Sequence, residues 1–239
     1  MEKYPQIILG AGRQAGHILH LLEWMGLPWN DCLLFDDGVA QNGVVQNIVG
    51  ARGLPVHGTL DAGIAACLEK KMPGIVALGS RAAAARYFVF RRAISSGVDL
   101  VNLIHASCEI APSALIGRNV VMMPGCVVGP NVEIGSLSCL FSNVTVEHDC
   151  KVGENSVLGP GSTLSGFAQI GAHCFLGAGV VCAPEVQVQD GTLVGAGAVV
   201  VSDLPSGVVC YGVPAVAKRA VIEGDDVPSL EQLRKLLVT

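Results

Sequence analysis

A chain of 239 residues is long enough for one large domain or two small ones. It is 51% hydrophobic but only 5% aromatic, with 30 glycines, so Val, Ile, Leu, Ala and Cys must fill a narrow, regular core. A net charge of −5 without any run of Lys or Arg argues against nucleic acid or an anionic membrane as partner.

The opening, MEKYPQIILGAG, lacks the charged segment, long apolar stretch and cleavage site of a signal peptide. No stretch of about 18 uninterrupted apolar residues is present to span a membrane. The nine cysteines include no C-x-x-C or other zinc spacing. Together these predict a cytoplasmic protein with reduced thiols and no metal site.

In chain order, the apolar run at residues 6–9 predicts a first strand, followed by Gly10-Ala-Gly12-Arg13-Gln14-Ala15-Gly16 and a helix to about Met25. Strand, G-x-G-x-x-A turn and helix match the first βα unit of a nucleotide-binding fold, in which a tight glycine turn lets phosphate approach the helix N-terminus. A purely structural βα turn reads the same way. A second strand at 32–35 ends in Asp36-Asp37, where an acidic residue would meet a ribose or base, and a third at 75–78 ends at Gly79-Ser80. The Ala-rich stretch 81–94 predicts a helix, and 99–104 a fourth strand. That makes only half of a dinucleotide-binding fold, which favours a mononucleotide or nucleotide-sugar over NAD and argues against an oxidoreductase.

From Ile110 the period changes. Every sixth residue from Ile110 to Val200 is apolar, sixteen positions without a break. Two residues before each lies a small or β-branched residue, so both rows point inward, as alternation along a short strand requires. Gly follows the apolar position in eight hexads, and Asn stands three residues after it at 119, 131, 143 and 155. Both tolerate left-handed backbone and mark corners. One hexad is thus one short strand plus one corner, and residues 110–200 form a parallel β-helix. Cys108, Cys126, Cys150, Cys174 and Cys182 fall in the inward rows and read as packing residues.

The residue two past each apolar position is mostly small or Pro. His148 is the one aromatic ring in that row. A histidine on a solenoid corner is open to a ligand and suited to general-base work. Gly166 lies eighteen residues on, one coil away, and could leave room for an acyl group beside the ring. Either Glu147 or Asp149 could orient His148, and Asp149 occupies the row in which corner residues are usual. His173 lies in that same row and reads as structural. Residues 229–237 predict a short capped helix.

The order of Gly10-Ala-Gly12, Asp36-Asp37, Val101-Asn-Leu-Ile-His105, Glu147-His148-Asp149-Cys150 and Tyr211-Gly-Val-Pro-Ala215 resembles one bacterial family over about residues 5–219. It is the hexapeptide-repeat acetyltransferases of nucleotide-linked amino sugars, related to those of bacillosamine synthesis and to sialic acid O-acetyltransferases. The resemblance implies an α/β half-Rossmann nucleotide-sugar domain (1–105), a left-handed β-helix acetyltransferase domain (106–219) and a tail (220–239). It implies acetyl-CoA as co-substrate, a nucleotide-linked amino sugar as acceptor, a homotrimer with active sites between neighbouring prisms, and no metal.

Carried over by residue, His148 is the base and Asp149 its carboxylate. Val157, Gly166, Ala178 and Ala196 hold acetyl-CoA, and Gly12, Arg13, Gln14, Asp36, Asp37 and Gly79 hold the nucleotide-sugar. Three positions depart from the family's habit. Val157 stands where a second His is frequent, Phe141 where Asn is, and Gln14 where the glycine turn has His. They imply a changed sugar or acceptor. The expected reaction is N-acetylation in a ternary complex; the alternatives are O-acetylation of a sialic-acid-like sugar and a non-catalytic scaffold.

Overall fold

The computed structural model describes residues 3–40, 53–227 and 232. The chain divides into two units, the first ending at Leu103 and the second beginning at Ile104.

The first unit is built on a parallel sheet of β1 (Ile7–Leu9), β2 (Leu33–Phe35) and β3 (Gly74–Val76), in the order β2-β1-β3. Its central strand, Ile-Ile-Leu, is buried throughout, as a strand covered on both faces must be. Gly10 ends β1 at φ +122, and a Cβ there would stand 2.7 Å from the Ala77 carbonyl oxygen, so only glycine fits. Helix α1 (Arg13–Trp24) follows, burying Ala15, Ile18, Leu19 and Leu22 along one stripe.

A four-residue helix, α2 (Asp37–Ala40), follows β2. A longer one, α3 (Leu60–Lys70), is capped by Thr59, whose Oγ1 accepts from the Ala62 N–H at 3.3 Å. Sequence reading missed α3 because Gly63 interrupts it. That glycine is a docking point: a Cβ there would stand 2.6 Å from Leu9 Cδ2 and 2.8 Å from Phe35 Cβ. After β3, the single turn Ser80–Ala82 leads into α4 (Ala83–Ser95).

The fourth strand expected at 99–104 is not continuous. A single parallel bridge joins Leu100 to Gly74, and Leu103–Ile104 is already the first strand of the solenoid. The Val101 N–H still bonds the Gly74 carbonyl at 3.1 Å, so pairing at the sheet edge lasts only about three residues.

The second unit is a parallel β-solenoid of two-residue strands. Each strand pairs with those eighteen residues before and after it, as Cys139 does with Val121 and Val157. Three faces result. The first carries strands ending at Met122, Leu140, Leu158, Leu176 and Val194. The second carries those ending at Ile110, Val128, Val146, Leu164, Cys182 and Val200, and the third those ending at Ile116, Ile134, Val152, Ile170 and Val188. These inward residues form one continuous core.

The corners obey one rule. From residue 119 to residue 197, every sixth residue has positive φ, including nine that are not glycine, with φ between 57° and 64°. Left-handed backbone turns the chain from one face to the next within a single residue. Buried thiols Cys126, Cys150, Cys174 and Cys182 are free, and burial pushes Cys174 and Cys182 up to about 12.

Strands Val208–Tyr211 and Val216–Ala220 close the solenoid as an antiparallel pair, with a cis Val213–Pro214 peptide between them. The helix expected at 229–237 lies outside the described residues, except for Gln232. Among the described residues no helix is long and apolar enough to cross a membrane, and no cluster of His, Cys, Asp or Glu is arranged to hold a metal.

Candidate active site

His148 sits on the corner between the second face, which its chain leaves at Val146, and the third, which it enters at Lys151. Its side chain is 51% exposed. Nδ1 lies 2.9 Å from Asp149 Oδ2, and the other Asp149 oxygen accepts from Asn131 Nδ2 at 3.1 Å, one coil away. Asp149 has φ 58, so it is a corner residue and the partner of His148 at once. The hydrogen bonds from His148 and Asn131 hold its carboxyl below the ordinary carboxylate range. With Nδ1–H donated to a carboxylate, Nε2 is the nitrogen left to accept a proton.

Gly166 lies under the ring. A Cβ there would stand 2.6 Å from His148 Cε1 and 2.7 Å from Nε2, so any other residue would displace the imidazole. The Gly166 N–H makes no hydrogen bond among the described residues and remains available to a ligand. Phe167 meets His148 edge to face, with ring centroids 5.3 Å apart. Phe167 and Asn131 were not singled out from sequence. The eighteen-residue step would have found both, since they flank Asp149 in its corner row.

The other residues assigned to acetyl-CoA stand elsewhere. Val157 belongs to a strand of the first face and is 3% exposed, whereas Ala178 and Ala196 lie exposed on the corner between the first and second faces. Within one chain the whole width of the second face separates them from His148 and Gly166. That face carries an outward row of Val127, Thr145, Thr163, Val181 and Val199, with Val127 and Val181 well exposed. A groove of about 650 Å³ runs along the third face past Glu133, Lys151, Gln169 and Gln187, and His148 does not line it.

In the first unit, Gly12, Arg13 and Gln14 follow β1, Asp36 and Asp37 follow β2, and Gly79 follows β3. All lie at the carboxyl ends of parallel strands, the edge where such sheets bind ligands. Asp36 Oδ2 accepts from the Ala11 N–H at 2.9 Å and Oδ1 from the Gly38 N–H at 3.0 Å. Asp37 Oδ1 accepts from the Leu60 N–H at 2.9 Å. Asp36 therefore braces the glycine turn, and its carboxylate already engages one of the amides that a phosphate could have used.

The family model described as the GMPPB C-terminal domain matches residues 100–203. No curated protein matches the chain. Among solved structures, PerB from Caulobacter crescentus, in complex with CoA and GDP-perosamine, is 33% identical with a TM-score of 0.77, covering 89% of this chain and 96% of that one. A histidine-to-alanine variant of GDP-perosamine N-acetyltransferase from the same organism, with the same two ligands, is 32% identical with a TM-score of 0.77, covering 89% and 95%. The acetyltransferase domain of PglB from Neisseria gonorrhoeae FA1090 is 28% identical with a TM-score of 0.76, covering 89% and 98%.

Proposed function

This chain belongs to the hexapeptide-repeat N-acetyltransferases of nucleotide-linked amino sugars, and from that membership we propose that it transfers the acetyl group of acetyl-CoA to the amine of such a sugar. One observation carries the reading. A histidine with Nδ1 held by an ionised carboxylate presents Nε2 beside a free backbone N–H, over a glycine that leaves space for an acyl group.

In the proposed reaction the sugar amine attacks the thioester carbonyl of acetyl-CoA. The C–N bond forms as His148 Nε2 takes the amine proton, Asp149 stabilising the imidazolium. The Gly166 N–H donates to the oxyanion, the C–S bond breaks, and the sulfur leaves with the proton that His148 returns. Proton transfer of this kind contributes roughly 10²–10⁴ in rate, and holding both substrates in place contributes ~7 kcal/mol or more. No protein-bound acyl intermediate is required.

The nucleotide-sugar domain, residues 1–105, holds the nucleotide through Gly12, Arg13, Gln14, Asp36, Asp37 and Gly79, and residues 106–219 carry the chemistry. The assembly is a homotrimer. Two features support this: the exposed β-branched row of the second face, and the separation of Ala178 and Ala196 from His148 within one chain. A neighbouring copy packed on that face would bring its Ala178–Ala196 corner, with acetyl-CoA, to this chain's His148. A cytoplasmic location fits this reading, and nine free thiols and the need for acetyl-CoA support it.

The test is thiol release from acetyl-CoA in the presence of UDP-, dTDP- and GDP-linked amino sugars. Turnover with at least one of them is expected, and turnover on free sugars alone would overturn the nucleotide-linked reading.

A further inference from the structure

The inward side chains of the first coil are packed less completely than those above them. Ile104, Cys108, Ile110, Ala114 and Ile116 are only partly buried, whereas their counterparts eighteen residues on, Met122, Cys126, Val128, Val132 and Ile134, are buried. The solenoid strands begin at this coil, so no coil lies beneath its core residues. Cys108 is therefore a core thiol left half-buried.

Cys126 stands next to it. The strands Glu109–Ile110 and Val127–Val128 pair in parallel with Glu109 opposite Val127, which sets Cys108 opposite Cys126 one position earlier. The Glu109 N–H donates to the Cys126 carbonyl at 2.9 Å and holds that register. Paired residues of neighbouring strands lie ~4.8 Å apart, within the ~4.4–6.8 Å that a disulfide spans between Cα atoms. Both sulfurs lean the same way, Cys108 Sγ donating to the Met123 carbonyl and Cys126 Sγ to the Phe141 carbonyl, each at 3.2 Å. The same step of eighteen takes Cys150 to Ala168, Cys174 to Thr192 and Cys182 to Val200, so those thiols have no thiol above them. Titration sets the pair apart as well. Burial pushes Cys32, Cys67, Cys150, Cys174 and Cys182 up to about 11 or 12. A hydrogen bond from the Cys126 thiol instead draws Cys108 below the ordinary cysteine range, against the effect of burial, and raises Cys126.

We propose that Cys108 and Cys126 form a hydroperoxide-reactive dithiol, with Cys108 the attacking sulfur and Cys126 the resolving one. This inference is independent of the acetyltransferase reading. The Cys108 thiolate attacks one oxygen of hydrogen peroxide, the O–O bond breaks, and the departing hydroxide is protonated to water. Sulfur is oxidised to a sulfenic acid as the peroxide is reduced. The Cys126 sulfur then displaces that hydroxyl while giving up its proton, the S–S bond forms, and a second water leaves. Two thiols and one hydrogen peroxide thus yield one disulfide and two waters. The bond joins coils whose backbones already stand at disulfide spacing, so it staples the start of the prism without distorting it.

The experiment exposes the reduced full chain to a small molar excess of hydrogen peroxide. Thiols are then counted after denaturation and mapped by peptide mass spectrometry. Free thiols should fall from nine to seven, with Cys108 and Cys126 in one linked peptide pair that dithiothreitol releases. The linked form should melt about 2–8 °C higher. Cys126→Ser follows the habit of this inward row, which buries Ser138, Ser156 and Ser162. In that variant Cys108 should stop at the sulfenic acid and be trapped by dimedone. Cys108→Ser should keep all its remaining thiols at the same dose. Nine thiols retained by the wild type would overturn the proposal, as would earlier loss at Cys32, Cys67, Cys150, Cys174 or Cys182. A link between two chains instead of within one overturns it too, and a linked form that melts lower overturns the staple.

Discussion

Two corners of the solenoid each carry a histidine, and they are opposites. On the corner between the second and third faces, His148 stands out into solvent with a carboxylate on Nδ1. On the corner between the third and first faces, His173 is 8% exposed, with the amide of Asn155 2.9 Å from Nδ1. The row around His173, which includes Asn119, Leu137 and Asn155, is buried throughout. The row around Asp149, with Asn131 and Phe167, faces outward. Identical side chains on one repeating backbone thus stand exposed or buried according to which edge of the prism they occupy. A neutral amide partner suits a buried ring, and a charged one suits a ring that must accept a proton.

Exchanging the fates of the two rings is the most severe test. His148→Ala is expected to lower kcat/KM by about 10²–10⁴-fold while Tm stays within a degree or two, since half of the side chain is exposed. Equal loss of stability would turn His148 into a second His173. Next in size is Gly166→Ala. The added Cβ must push the imidazole aside, and displacement by about 1 Å costs on the order of 10²-fold in rate. Crystals or NMR spectra showing an unmoved ring at full activity would refute the close approach. His173→Ala should behave in the reverse sense, with near-normal kcat and a stability loss of about 1–3 kcal/mol from the lost hydrogen bond to the buried amide of Asn155. Thermal melts with single-turnover assays would separate the two effects.

Much of this contrast was legible in the sequence, because a solenoid writes three-dimensional position as arithmetic. Hexads placed the strands and predicted the left-handed corners, and a step of eighteen set Gly166 under His148. The same arithmetic, carried further, puts Ala178 thirty residues from His148, one coil and two more corners away, and so on a different edge. Phe167 was hidden because a corner row made mostly of Asn and Gly invites no search for an aromatic. The first unit was less readable. Its strands are three residues long, and α3 contains a glycine whose purpose, close approach to Leu9 and Phe35, exists only in the tertiary structure. The choice between Glu147 and Asp149 also needed coordinates. Both carboxylates adjoin His148 in sequence, and only the direction of the side chain at a left-handed corner brings Asp149 onto Nδ1.

The smallest expected effect sharpens the comparison by pH. Asp149 titrates below the ordinary carboxylate range because His148 and Asn131 donate to it, whereas Asn155, which meets Nδ1 of His173 from one coil away, does not titrate. A carboxyl group whose folded value is depressed contributes stability that is fully present above its unfolded value, about 3.9, and is lost as pH falls through the folded value. Asp149→Asn keeps a side chain that tolerates left-handed backbone and removes only the charge. The wild type should therefore melt slightly above the variant near pH 7, with the gap closing as pH falls below about 4. Asn155→Ala should instead lower Tm by a similar amount at every pH. The acid limb of kcat/KM points the same way: any loss of rate setting in above about pH 5 lies too high for protonation of Asp149, whose charge persists there. A Tm gap for Asp149→Asn that held constant down to pH 3 would mean that the carboxylate acts there as a corner residue alone, and the two corners would then differ only in burial.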